Sequence, residues 1–259
     1  MARLFLGSNG AVVDKIVMPS GFTGNSTAQT TTLSFWINNL DWSNSWFATK
    51  GLISSTTGLG AGGTIGIYMP FGGVLRFNAG GATLNDTNAG SGFSFISSKW
   101  YHVVFTWNGL SAGSMATQSF INGALNNSYG GVGGTPSLSA SPMSFNSIDY
   151  VNAGANVTTY LAELAWWNVI LTQLEVTALY QGFRPSVIRP KALIGWWPLS
   201  GLQSPEPDLS GFHNNGTLTG TTPIFGPPLL HTPSRRRARA SFNLPPITFK
   251  ADRMMLARF

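Results

Sequence analysis

Residues Trp100–Gly109 read WYHVVFTWNG, and the alternation within them decides the fold class. Side chains of an extended strand point to opposite faces in turn. Tyr101, Val103, Phe105 and Trp107 therefore share one face, and His102, Val104 and Thr106 share the other. The first face suits the interior of a sandwich. Val104 on the second predicts cover on that side as well. Asn108-Gly109 follows directly, and both residues tolerate the positive φ that a tight hairpin demands.

Working outward, Thr32–Asn38 (TLSFWIN), Thr64–Met69 (TIGIYM), Val74–Asn78 (VLRFN), Thr117–Asn122 (TQSFIN), Met143–Tyr150 and Tyr160–Trp167 (YLAELAWW) all read as strands between Gly, Asn and Ser clusters. Asn122-Gly123 is a second tight-turn signal. The pairs Trp166/Trp167 and Trp196/Trp197 must each split across a strand, so one member of each has to meet a helix, an arm or a partner. One helix is predicted over Leu171–Gln181. Thr172 is its N-cap, Glu175 sits at capping-box spacing, Leu174, Ala178 and Leu179 form an apolar stripe, and Gly182 ends it. Beyond Gly182, Lys191–Ser200 (KALIGWWPLS) and Thr217–Thr222 read as further strands, with Ser204–Gly216 turn-like between them. Prolines recur from Pro223 onward, too densely for a sheet interior. The expectation is an all-β sandwich of two antiparallel sheets over 1–226, followed by an extended Pro/Arg-rich arm over 227–259.

Composition agrees with that plan. A chain of 259 residues with 43% hydrophobic content can hold one large all-β domain and an appendage, and is not globally disordered. Only 9% of residues are charged, against about 25% in an ordinary soluble domain. Polar Ser, Thr, Asn and Gly must carry solubility, or an assembly must hide surface. Residues 1–180 hold five basic and six acidic side chains, and 181–259 hold ten and three. The net charge of +6 therefore belongs to the C-terminal part, and a general nucleic-acid binder is not indicated. The absence of Cys excludes disulfides and thiolate metal sites. The first ten residues lack the apolar run of a signal peptide, so synthesis and folding in a reducing cytosol are expected. No apolar stretch approaches the ~18–20 residues of a membrane helix.

Several stretches carry a family resemblance. WYHVVFTWNG resembles the strand and turn of laminin G-like, concanavalin A-like domains. Phe120–Gly123 (FING) is similar to the strand that follows it in the family. Leu161–Tyr180 (LAELAWWNVILTQLEVTALY) resembles the family's closing element, and Leu193–Gly220 a WPL-G…D-SG…NGTLTG segment that accompanies these domains. This resemblance implies a concanavalin A-like jelly roll, for which carbohydrate binding is the commonest activity. The order of these parts with a Pro/Arg tail resembles tailed-bacteriophage proteins, which implies a virion location and other virion proteins, or further copies of this chain, as partners.

Candidate sites divide by chemistry. A glycosidase needs two carboxylates about the scissile bond. Glu206 and Asp208, the acids nearest each other, sit in a proline turn, and Glu163 stands alone at the family's structural acidic position. No catalytic residue is therefore assigned. Asp41, Trp42, Asn44 and Trp46 share one loop and offer an aromatic platform with hydrogen-bonding groups for a sugar. Trp42 and Trp46 as plugs of the sandwich end is the competing reading. Asp149, Asn152 and Asn156 present hard oxygens that could hold calcium, although Asn residues around Gly154 read first as turn formers. His102, His213 and His231 lack zinc-ligand spacing. In the arm, Arg235, Arg236, Arg237 and Arg239 could pair with carboxylates of a neighbour while Phe242, Phe249 and Phe259 anchor it. The expected function is a non-enzymatic virion structural protein (decoration, fibre or tail-surface subunit) whose lectin-like domain binds host glycans. A stand-alone carbohydrate-binding module is the alternative and a glycoside hydrolase the third reading; no nucleic acid or membrane partner is expected.

Overall fold

A computed structural model describes residues 1–6, 14–19, 30–39, 50–54, 65–69, 73–79, 83–86, 93–108, 117–129, 144–145, 158–201 and 204–227. In chain order the strands are β1 (Ala2–Phe5), β2 (Lys15–Val17), β3 (Thr30–Asn39), β4 (Lys50–Ser54), β5 (Ile65–Met69), β6 (Arg76–Ala79), β7 (Thr83–Asp86), β8 (Tyr101–Asn108), β9 (Thr117–Ile121), β10 (Ala124–Tyr129), β11 (Ser144–Phe145) and β12 (Thr159–Trp167). Helix α1 (Gln173–Tyr180) and two 3-10 turns, Pro185–Val187 and Pro190–Ala192, precede β13 (Leu193–Trp197), β14 (Thr217–Thr219) and β15 (Thr222–Ile224).

Among the described residues these strands form two antiparallel sheets. One runs β10-β9-β8-β3-β12-β1-β15, with β13 also paired to β12, and the other runs β14-β2-β11-β4-β5-β6-β7. The chain is a two-sheet sandwich with one short helix, as its alternation implies. Tyr101, Val103, Phe105 and Trp107 lie in the core between the sheets with Phe35, Phe77, Phe145, Trp166 and Trp197. Val104 lies on the opposite face with Trp167 and Trp196 under α1. Each adjacent Trp pair thus splits between the two clusters. Covering both faces of β3 and β8 makes them buried almost throughout.

The hairpin between β9 and β10 uses the Asn122-Gly123 turn, at φ 52° and 80°. Gly123 is needed twice: a Cβ there would also meet the Tyr180 side chain at 2.9 Å. The capping box is present, with Thr172 accepting from the Glu175 backbone while the Glu175 carboxylate takes the Thr172 N–H. The predicted apolar stripe needs correction at Leu174, which is 81% exposed; Val176 and Leu179 are the side chains that α1 buries. The helix is only eight residues long, and its register on the sheet is set by Leu179 and by Gln173, whose amide reaches the Gly123 carbonyl. The single strand expected at Thr217–Thr222 is two, because Gly220 turns the chain at φ 71° from one sheet to the other.

The first and last strands meet. β1 pairs with β15, and Arg3 on β1 makes a buried ion pair with Glu206 at 3.1 Å. Arg3 is 2% exposed and Glu206 0%. The second Glu206 oxygen accepts from the Ser200 and Gly201 backbone N–H groups, while Arg3 also donates to Thr221 and to the Gly201 carbonyl. Removing one partner would leave an uncompensated buried charge, which costs about 3–5 kcal/mol. Arg3→Met is expected to lower the unfolding free energy by about that amount in a urea titration, and a loss below about 1 kcal/mol would show that the pair is dispensable.

Candidate functional site

The site grows out of an irregularity in β12. Strict alternation from Leu161, a core residue, would send Glu163, Ala165 and Trp167 inward. Instead Glu163 takes a left-handed conformation at φ 51°. Ala162 pairs with Trp36 and Ala165 with Ser34, so two β12 residues oppose one β3 residue. This bulge flips the parity. Leu164 and Trp166 enter the core, Ala165 and Trp167 turn outward, and a carboxylate that would have been buried between the sheets is kept out of it. The same point divides the other edge of β12, which pairs with β1 up to Leu161 and with β13 from Leu164.

Glu163 lines a cavity of about 250 Å³ between the outer face of the first sheet and the turn that follows α1. Ser34, Trp36 and His102 form its floor on β3 and β8, Trp196 and Pro198 come from β13 and its exit, and Phe183 and Arg184 from the turn. Glu163 Oε2 accepts from Trp196 Nε1 at 2.9 Å; its Oε1 has no hydrogen-bond partner among the described residues. Burial pushes this carboxyl above its ordinary value, while the Trp196 hydrogen bond, the N-terminal ammonium and Arg184 pull it down less strongly. His102 is 1% exposed and its Nε2 meets Ser34 Oγ at 2.9 Å. Its ring lies 5.2 Å from Trp36 and 6.2 Å from Tyr180, centroid to centroid. Burial depresses the imidazole to about 3, so it is neutral at pH 7. Its Nδ1 is buried without a partner, which is costly for a polar atom.

The acids of the proline turn are structural. Glu206 belongs to the Arg3 pair, and Asp208 accepts from the Trp196, Ser210 and Asn214 backbone N–H groups, and from the Ser210 hydroxyl. Asp208 thereby pins the WWPLSG strand to the DLSG turn. The loop candidates Asp41, Trp42, Asn44 and Trp46, the calcium candidates Asp149, Asn152 and Asn156, and the arm residues Arg235, Arg236, Arg237, Arg239, Phe242, Phe249 and Phe259 all lie outside the described residues. Among the described residues no cluster of three metal-ligating side chains occurs. The cavity residues escape sequence reading because they come from segments far apart in the chain. One signal was there: a Glu at an inward position of an otherwise apolar strand.

A family model for the concanavalin A-like lectin/glucanases superfamily, of the laminin G type, matches residues 13–177, well over half of the chain. The chain belongs to this family. Strands β1 and β13–β15 lie outside that matched stretch, yet they complete this laminin G-like sandwich. No curated protein sequence matches the chain. Among solved structures it is similar to a candidate carbohydrate-binding protein of Bacteroides ovatus ATCC 8483, with a TM-score of 0.61 and 15% identity. That match covers 86% of this chain and 59% of the other, so the chain spans about three-fifths of the Bacteroides protein. A heptameric SAP-like pentraxin of Limulus polyphemus matches with a TM-score of 0.51 at 15% identity, over 71% of this chain and 83% of that one. Botulinum neurotoxin type C, whose cell entry depends on interaction with two ganglioside molecules, matches with a TM-score of 0.50 at 21% identity, over 69% and 42%. At these identities the likeness shows the fold.

Two pH effects follow, with opposite signs. The unfolded chain protonates His102 near pH 6.5 and the native chain only near 3, so the unfolded state binds the extra proton in between. Stability is lost as pH falls through that window, by up to about 1.4 kcal/mol per unit. Glu163 holds its proton to higher pH when folded, so it removes stability as pH rises above its ordinary value. Urea titrations of His102→Gln are expected to show a slope against pH shallower by nearly one proton between roughly pH 4 and 6. Glu163→Gln is expected to raise the melting temperature at pH 7. An unchanged slope in the first variant, or a lower melting temperature in the second, would contradict these assignments.

Proposed function

We propose that this protein is a non-enzymatic, lectin-like glycan binder carried as a structural subunit of a bacteriophage virion, on capsid, fibre or tail surface. The observation that carries the non-catalytic part is how the carboxylates are used. The family contains lectins and glucanases, and a glucanase needs two carboxylates free to act on one bond. Among the described side chains, Glu206 is committed to Arg3, Asp208 to three backbone N–H groups, Glu175 to the helix cap and Arg189, and Asp14 to the Leu6 N–H. Glu163 alone among them offers an oxygen to a cavity. One carboxylate beside indole rings suits holding a sugar better than cleaving one.

The carbohydrate-binding and ganglioside-dependent descriptions of the Bacteroides protein and of the type C toxin support the glycan reading. The virion reading rests on residues 227–259, whose Arg235–Arg239 cluster and recurrent prolines suit an arm laid along an acidic neighbour, and on a cysteine-free composition. Display in many copies would make a weak sugar contact useful through avidity. The Bacteroides likeness equally favours a stand-alone carbohydrate-binding module. Metal is not part of the proposal, and chelation with EDTA is expected to leave glycan binding intact.

Two experiments test this. On a glycan array the full chain is expected to bind a subset of bacterial-surface glycans without releasing reducing ends; sustained hydrolysis would make it a glucanase. In size-exclusion chromatography with light scattering, the full chain is expected to run as an oligomer and a version ending at Gly226 as a folded monomer. Glycan binding by a full chain that is monomeric, and that fails to enter virions, would establish the stand-alone module instead.

A further inference from the structure

We infer that the cavity beside the Glu163 bulge is the sugar-binding subsite, and that it takes a single neutral pyranose unit end-on, as the terminal residue of a glycan. The inference rests on the lectin reading above and gives it a place and a ligand class.

Size sets the first limit. About 250 Å³ is below the ~300–1,000 Å³ of sites for drug-sized ligands. One sugar ring fits that space and an internal chain segment does not, because the sheet closes the cavity from below. The lining sets the chemistry. Trp36 and Trp196 supply indole surface, with Phe183, 52% exposed, at the entrance. A pyranose presents C–H groups on one face and hydroxyls around its rim, so it needs an apolar wall and a hydrogen-bond acceptor together.

Glu163 is that acceptor. Trp196 Nε1 occupies Oε2 and fixes the carboxylate, leaving Oε1 for a hydroxyl donor. The bulge that brings it there costs conformational energy at a non-glycine residue, and such strain clusters at ligand sites. His102 lines the same cavity, and its Nδ1 is one of three buried side-chain atoms without a hydrogen-bond partner among the described residues, with Asn38 Oδ1 and Trp107 Nε1.

Charge selects neutral over acidic sugars. Arg184 stands exposed at the cavity, and its pull on the Glu163 carboxyl is weaker than that of the Trp196 hydrogen bond. An acidic sugar would bring its carboxylate towards Glu163, and a desolvated like-charge contact is unfavourable.

The probe is a panel of methyl glycosides of glucose, galactose, mannose and N-acetylglucosamine, with N-acetylneuraminic acid and glucuronic acid as acidic members. They are titrated into the full chain and followed by tryptophan fluorescence and isothermal calorimetry. At least one neutral glycoside is expected to bind at about the millimolar level of a one-ring contact. Glu163→Gln, which can still accept from Trp196, is expected to weaken it about tenfold or more, since a charged hydrogen bond is replaced by a neutral one. Leu209→Trp, at a half-exposed position on the cavity wall, is expected to abolish binding by filling the space, with an unchanged circular dichroism spectrum.

Preference for an acidic sugar that depends on Arg184 would overturn the ligand class. Glycan binding that survives both Glu163→Gln and Leu209→Trp, but is lost in Trp42→Ala or Trp46→Ala, would overturn the site and leave the lectin reading standing. No binding to any member of the panel or of a glycan array would overturn the lectin reading itself, and this inference with it.

Discussion

The left-handed turn at Glu163 is the constraint on which the rest of the structure depends. β12 is shared by everything around it, with β3 along one edge and β1 and β13 in succession along the other. A strand in that place has to satisfy two partners of different register, and one extra residue is the way to do so. The bulge puts Trp166 into the core, where its indole donates to Thr31 Oγ1 at 2.5 Å, and Trp167 under α1, where it donates to the Ile188 carbonyl at 2.7 Å. Without the parity change both indoles would trade places and the carboxylate would face Phe and Trp side chains with no counter-charge. Packing, polar satisfaction and the opening of the cavity are thus consequences of one φ angle.

A second constraint closes the sandwich. The N-terminal strand and the segment from Leu193 onward lie beyond the stretch that the family model matches, and they hold each other. Arg3 and Glu206 provide the charge pair, Asp208 ties β13 to the turn that follows, and Trp197 Nε1 reaches the Asn214 carbonyl. Each of these polar groups is buried or half-buried and each has partners, as buried polar groups must. The WWPLSG…DLSG…GTLTG segment is therefore part of the sheet structure: it contributes β13 to one sheet and β14 to the other, and β15 follows it directly.

What could be read beforehand follows the strength of local patterning. β3, β8, β9 and β12 are long enough to show alternation, and α1 announces itself through Thr172 and Glu175. β1, β2, β4, β7 and β10 gave no such sign. They are three to six residues long, and β10 (ALNNSY) is a polar edge strand whose existence depends on its pairing with β9 through the Asn122-Gly123 turn. Leu174 was misplaced because helical spacing fixes which residues share a stripe, but not which stripe meets the sheet. The cavity was illegible for a similar reason. Ser34, His102, Glu163 and Phe183 become neighbours only through the sheet order, and a single strand shows no bulge until its two partners are known. The loop around Trp42 and Trp46 had the residue chemistry of a sugar site within one local stretch, and so it was the site a sequence could suggest.

The most direct test is a crystal structure of the full chain soaked with the neutral methyl glycoside that binds most tightly. The account predicts a single sugar ring in the cavity, with a hydroxyl within hydrogen-bond distance of Glu163 Oε1 and the ring against Trp36 or Trp196. A sugar seated on any other surface, with the cavity unchanged from the free protein, would contradict it.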